Sequence, residues 1–232
     1  FNTIVYNLAF ILFGNVMQVK VPILLNELAK KWFKKITQSL MFLPYFISFV
    51  LVGLLAYNIL SYDYGLLNSV LASLGMDPLK TYSNPDVWKY IIVLTYLWKT
   101  TGYGSIIYFA AIMGQDSEVI EASEIDGVNA FQRIRYIILP WLKPTFIILL
   151  LFSLGGVLRG DFGLFYNLVG ANNTILFEST DIIETFVFRA LINNFNFSLG
   201  SAVSLYQAVF GFFIVFSANW LIRRTSPDNS LF

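Results

Sequence analysis

The sequence predicts an all-α integral membrane protein, and three observations carry the prediction. Of the 232 residues, 57% are apolar and 12% charged, and the mean hydropathy is +0.67, whereas soluble domains are about 25% charged. Apolar runs recur at about the 20 residues that a helix needs to cross hydrocarbon, and not as the short alternating segments of a β-barrel. Basic clusters alternate along the chain with acidic or neutral connectors, as successive membrane spans require.

Five spans are expected, at about 4–28, 39–60, 87–113, 143–168 and 202–222, each long enough at about 1.5 Å per residue to cross with some tilt. The first connector, "AKKWFKKI", carries Lys30, Lys31, Lys34 and Lys35. A central segment carries Arg133, Arg135 and Lys143, and the last span ends in Arg223 and Arg224. The positive-inside rule puts these three places in the cytoplasm. The connectors 61–86 and about 169–200, with Asp63, Asp77, Asp86, Glu178, Asp181 and Glu184, then face outward. Residue 1 starts outside and the C-terminus is cytoplasmic. The chain begins at Phe1, so an N-terminal part is expected to be missing; one further span there would complete a six-helix subunit, and no signal peptide can be judged. The outer connector "YDYGLLNSVLASLGMDPLKTYSNPD" reads as a folded surface loop, open between a solvated connector and a docking surface.

The central segment differs from everything around it. Asp116 or Ser117 caps a helix whose first turn carries Glu118, and Gly127 closes it, because a residue without Cβ enters the left-handed conformation found just past helix ends. Asn129 followed by Gln132 reads as a new cap, and Ile134, Ile137 and Ile138 continue an apolar face until Pro140 and Pro144 stop the helix. A helix, a glycine turn and a second helix result. On physical grounds alone such a hairpin either lies in the headgroup layer or docks on a partner.

The spacing bears on that choice. Glu121-Ala122-Ser123, three residues, Gly127, nine residues and Ile137-Ile138-Leu139-Pro140 resemble the EAA loop of type I ABC importer permeases, with Ser123 in place of a second alanine. "FLPYFIS", "LWKTTGYGSIIYFAAI" and "TDIIETFVFRALI" resemble the polysaccharide and oligosaccharide branch of that family, in the right order along the chain. The resemblance implies one transmembrane permease domain over 1–232, with 116–140 as a cytoplasmic coupling loop. Glu121, Ala122, Ser123, Asp126, Gly127, Leu139 and Pro140 would then engage an ATPase. It implies a second homologous permease subunit, two cytoplasmic ATPase subunits and an extracytoplasmic solute-binding protein as partners. The location implied is the bacterial cytoplasmic (inner) membrane, and the function is ATP-driven import of an oligosaccharide or polysaccharide fragment by alternating access.

What the chain lacks narrows the reading further. There is no phosphate loop of the form G-x-x-x-x-G-K-S/T, so ATP and Mg are expected on the partner ATPase, with no cofactor on this chain. It has no cysteine and no histidine, which removes Cys-based metal sites and the commonest base; no catalytic residue, metal ligand or nucleic-acid partner is expected. An ion-gradient-driven sugar carrier is the alternative, although Asp161 is the only clear acid within a span. A scaffold subunit would leave the spacing of the central segment unexplained.

For the saccharide, aromatic faces with polar neighbours are the expected recognition chemistry. Phe49, Tyr57, Trp98, Tyr103, Asp161, Phe162, Tyr166, Tyr206 and Gln207 are the candidate pathway residues. "LGGVLRGDFGLFY" is interrupted by glycines around Arg159 and Asp161, and irregular backbone at membrane depth is tolerated chiefly where it lines a cavity. The scarcity of basic residues in the spans favours a neutral saccharide, unless the second permease supplies charge.

Overall fold

The protein is described by a computed structural model covering residues 1–28, 30–170 and 172–227, and among these every regular element is helical. Helix α1 (Asn2–Leu28) matches the first expected span. The lysine-rich segment is not all connector: α2 (Lys31–Phe46) begins inside it. The span expected at 39–60 is a bent pair, with α3 (Phe49–Leu60) turning from α2 by 98°. Ser48 caps α3 by accepting from the Leu51 amide at 3.3 Å. At the other side of the bend, the carbonyls of Pro44 and Tyr45 accept from Lys99 Nζ at 3.3 and 3.1 Å. Lys99 is only 6% exposed, and its charge lies against carbonyls at a helix end, where intrahelical donors run out.

The outer connector is folded around α4 (Leu66–Ser73). Asn68 donates to the carbonyls of Ser61, Tyr62 and Leu79 and accepts from the Leu79 amide, which closes the loop on itself. Helix α5 (Pro85–Met113) follows, then α6 (Ser117–Ile125), α7 (Ala130–Arg133), a π turn over Ile134–Ile138, and α8 (Leu139–Gly155).

Pro140 therefore does not stop a helix, contrary to expectation. The π turn carries the Leu139 amide to the Ile134 carbonyl and restarts the α-helical register, which puts Pro140 in the first turn of α8, where its missing N–H costs nothing. The expected span 143–168 is broken instead at 156–161, after which come α9 (Phe162–Val169), α10 (Phe177–Thr180), α11 (Ile183–Asn194) and α12 (Phe197–Thr225). By length and composition Asn2–Glu27, Ala130–Gly155 and Phe197–Thr225 can each cross a bilayer, and the bent pair makes a fourth. Helix α5 has the length, but Asp86, Lys89 and Lys99 dilute its apolar character. Residues 228–232, on which the expected cytoplasmic C-terminus falls, lie outside the described residues.

Two compact units form. The first comprises Phe1–Phe10, Phe46–Tyr96 and Gly156–Phe212; its core includes Tyr6, Trp88, Ile92, Phe165 and Leu176, with Phe10 stacked on Tyr96 at 3.8 Å. Here α3 approaches α9 so closely that a Cβ on Gly53 would lie 2.2 Å from the Asn167 carbonyl oxygen. The second unit comprises Ile11–Tyr45, Leu97–Gly155 and Phe213–Phe232. Its core holds Ile23, Tyr108, Ile112, Ile138 and Leu142, and Gly102 meets α2 with a prospective Cβ 1.8 Å from the Met41 carbonyl oxygen. Small residues at such crossings let backbones pack where apolar burial alone gives little drive.

These contacts make a prediction. Gly53→Ala and Gly102→Ala push a methyl into backbone, and each is expected to cost roughly 1–3 kcal/mol, read as a lower unfolding midpoint in detergent. Gly200→Ala, whose Cβ would sit at an ordinary 3.6 Å from Val187, is expected to be neutral. Equal midpoints for all three variants would contradict the close crossings.

Candidate functional site

The central segment folds as its residues dictate. Asp116 caps α6 by accepting from the Glu118 amide at 3.0 Å. At the far end Gly127 adopts a φ of +73°, its amide donates to Glu124 O at 3.1 Å, and the Val128 amide donates to Ser123 O at 3.0 Å. This double closure is the glycine-dependent Schellman ending, which satisfies carbonyls left over by the helix. Asn129 and Gln132 then form a reciprocal capping box, at 3.0 and 2.9 Å, that starts α7.

Arg133 holds the hairpin in place. Its Nε and Nη2 both donate to Glu27 Oε2 near the end of α1, and its Nη1 donates to Glu124 Oε1 on α6 at 3.0 Å. The side chains of Arg133 and Glu27 are only 15% and 3% exposed. A second tie comes from Trp141, whose Nε1 donates to Ala111 O at 2.7 Å, joining the start of α8 to the end of α5. The hairpin is therefore anchored to two long helices.

Its outer face is left open by the described residues. Glu121, Ala122, Asp126 and Gly127 are exposed, and so are Leu139 and Pro140; Ile125 is 87% exposed, with Phe131 and Val119 also open. Ser123 is the exception: it is buried and its hydroxyl donates to Ile120 O. Sequence reasoning therefore grouped Ser123 with a surface to which it does not belong. It also missed Glu27, whose pairing with Arg133 spans 106 residues and leaves no local pattern.

Several of the candidate pathway residues meet in the first unit. Phe162 and Tyr166 stack at 4.9 Å, and Phe188, which the sequence reading passed over, meets them at 4.8 and 5.2 Å. Gln207 is buried and donates to Leu158 O at 2.7 Å and to Glu184 Oε1 at 2.9 Å, so it also satisfies a carbonyl freed by the break at 156–161. Asp161 caps α9 by accepting from the Leu164 amide at 3.0 Å. Phe49 packs on the α9 backbone at Gly163.

The others have ring neighbours of their own. Tyr57 neighbours Tyr82 at 5.8 Å, and Tyr206 neighbours Phe210 at 4.3 Å. In the second unit, Trp98 is half-exposed and Tyr103 stacks on Tyr45 at 4.1 Å. Glu184 and Phe188, four residues apart on one face of α11, were within reach of a spacing argument.

Comparison with known proteins agrees with this geometry. Residues 18–227 match the family of binding-protein-dependent transport system inner membrane components, and the chain belongs to that family. Protein LplB of Bacillus subtilis (strain 168) is 30% identical over 227 residues, 98% of this chain and 70% of its own length. The polygalacturonan/rhamnogalacturonan transport system permease protein YteP of the same organism is 31% identical over 210 residues, 90% of this chain and 64% of its own. The crystal structure of a bacterial alginate ABC transporter in complex with an alginate pentasaccharide-bound periplasmic protein is similar with a TM-score of 0.88 and 31% identity, covering 97% of this chain and 77% of that one.

The chain is thus a membrane-embedded permease of the ABC importer class. The gradient-driven carrier left open by the sequence is not the class to which it belongs.

The Arg133 anchor makes the second prediction. Arg133→Ala removes both guanidinium donors from the buried Glu27 carboxylate and leaves it the Asn26 amide at 3.4 Å, a loss expected to cost about 1–3 kcal/mol, whereas Glu27→Gln combined with Arg133→Gln removes both charges and is expected to recover most of it. An Arg133→Ala protein with the wild-type unfolding midpoint would show that the pair anchors nothing.

Proposed function

We propose that this permease, acting as one transmembrane domain over 1–232, moves a saccharide into the cell by alternating access and does no chemistry of its own. The observation that carries the proposal is the exposed, doubly anchored hairpin. Glu121, Ala122, Asp126 and Gly127 present a narrow face with Ile125 projecting from it, which suits a helix-in-groove contact. Two cytoplasmic ATPase subunits receive that face on this chain and on a second homologous permease subunit, and ATP and Mg act there. The anchors at Glu27 and Ala111 pass the resulting movement into α1 and α5. Leu139 and Pro140, at the start of α8, carry it into the next span.

The saccharide reading is supported by the relatives and by the residues. The relative YteP is named for polygalacturonan and rhamnogalacturonan transport, and the structural relative for alginate. The cluster of Phe162, Tyr166, Phe188 and Gln207 offers ring faces beside hydrogen-bonding groups, as a sugar requires. An extracytoplasmic solute-binding protein delivers the saccharide to the outward side, where the acidic and neutral connectors and Asn68-closed loop lie. The cytoplasmic membrane is the location, with the C-terminus inside.

Gly127→Asp tests the docking. Apart from its chain neighbours, none of the described residues comes within 4 Å of a Cβ at Gly127; the φ of +73° strains any side chain there, but Asp is among the residues that adopt it, so the variant is expected to insert and fold. Its effect then falls on a partner. ATP-driven uptake is expected to fall at least tenfold, about 1.4 kcal/mol of contact, with the ATPase weakened or lost on copurification. Full uptake with the ATPase retained would remove the hairpin from the mechanism.

A further inference from the structure

Glu184 has no role in the coupling hairpin, yet its surroundings are specific. It lies in the first turn of α11, where Oε1 accepts from Gln207 and Oε2 is buried with no donor among the described residues. Oε2 sits over the backbone of Gly160, where a Cβ would come within 2.5 Å of it. The glycine in the broken segment is thus what gives the carboxylate its place. Gln207 has committed both amide hydrogens, one to Glu184 and one to Leu158 O, which fixes the acid without neutralising it.

Beside this carboxylate a groove of about 270 Å³ runs between α9, α11 and α12. Phe162 and Phe188 form apolar ring walls, Glu184, Ser204 and Gln207 supply polar groups, and among the described residues no lysine or arginine lines it. The volume falls just below the roughly 300–1,000 Å³ of sites for drug-sized ligands. It admits one sugar ring of a longer chain. A carboxylate accepts up to about four hydrogen bonds and Gln207 takes one of those on Oε1, so lone pairs remain available to a donor entering the groove.

We infer that this groove is a one-ring saccharide subsite in which Glu184 accepts hydrogen bonds from sugar hydroxyls, and that it selects neutral rings against carboxylated ones. The inference rests on the saccharide reading above and sharpens it. A neutral ring brings several O–H donors to an acceptor that lacks them, and its C–H faces match Phe162 and Phe188. A uronate ring brings a second anion to a carboxylate with no cation in the groove, and like charges at close range in a poorly solvated site repel strongly. This chain would differ here from the relatives named for polygalacturonan/rhamnogalacturonan transport and for alginate.

The test is uptake by the complete transporter in proteoliposomes, with neutral hexose and pentose oligosaccharides and uronate oligosaccharides of matched length as probes. Wild type is expected to import at least one neutral probe, with uronate uptake lower by tenfold or more. Glu184→Gln is expected to raise the KM for the neutral probe about tenfold and to narrow the preference over uronates. Ser204→Trp, which fills the groove from α12 and leaves the acid in the sequence, is expected to abolish saturable uptake and serves if Glu184→Gln fails to insert. Preference for uronates, or neutral-probe uptake unchanged in both variants, would overturn the subsite while leaving the saccharide permease intact. ATP-driven transport with no saccharide imported would overturn the saccharide reading and the subsite with it.

Discussion

Arg133 between Glu27 and Glu124 is the interaction on which the placement of the coupling hairpin depends. The hairpin's first helix is short and ends in a glycine turn, so by length alone it would not hold its orientation in water, while its second helix runs on through the π turn into α8. One guanidinium with planar, forked donors ties it to α1 and closes it on itself. A lysine at this position would supply a point charge without that geometry. Burial makes the arrangement costly to break, because Glu27, at 3% exposure, keeps only the Asn26 amide at 3.4 Å and the charge of Lys34 once the guanidinium is gone.

The second constraint is the membrane's demand that every backbone polar group be satisfied within the protein. Both irregular segments at depth meet it with specific side chains. At the α2–α3 bend Lys99 covers the exposed carbonyls and Ser48 caps the following helix. At 156–161 Gln207 takes the Leu158 carbonyl and Asp161 caps α9. Charged or polar residues in apolar spans thus do backbone work here, and the groove beside Glu184 arises where one of these repairs leaves an acceptor uncovered.

Local rules made part of this legible in the sequence. The helical class, the caps at Asp116 and Asn129 and the turn at Gly127 follow from composition and from residues a few positions apart, and the structure has them in those places. The bend at Phe46–Phe49 was hidden inside a continuous apolar run, where hydropathy measures length and not direction, whereas the break at 156–161 was announced by the glycines around Arg159 and Asp161. Pro140 misled because a proline stops a helix only if its missing donor was needed, and the π turn over Ile134–Ile138 removes that need. Glu27 with Arg133, and Gln207 with Glu184, are pairings across the fold that no spacing announces. Ser123 followed the motif but is buried at the hairpin's inner side.

The central claim is that the outer face of the hairpin is a docking surface for an ATPase, and the chain's lack of cysteine permits a direct measurement. Ile125→Cys introduces one thiol at the most exposed apolar position of the face, and a short bifunctional cross-linker applied to the purified complete transporter reports what lies against it. The account predicts a specific cross-link to the ATPase subunit whose yield changes with nucleotide. A thiol that reacts freely with soluble maleimide, and cross-links to no protein in any nucleotide state, would contradict it.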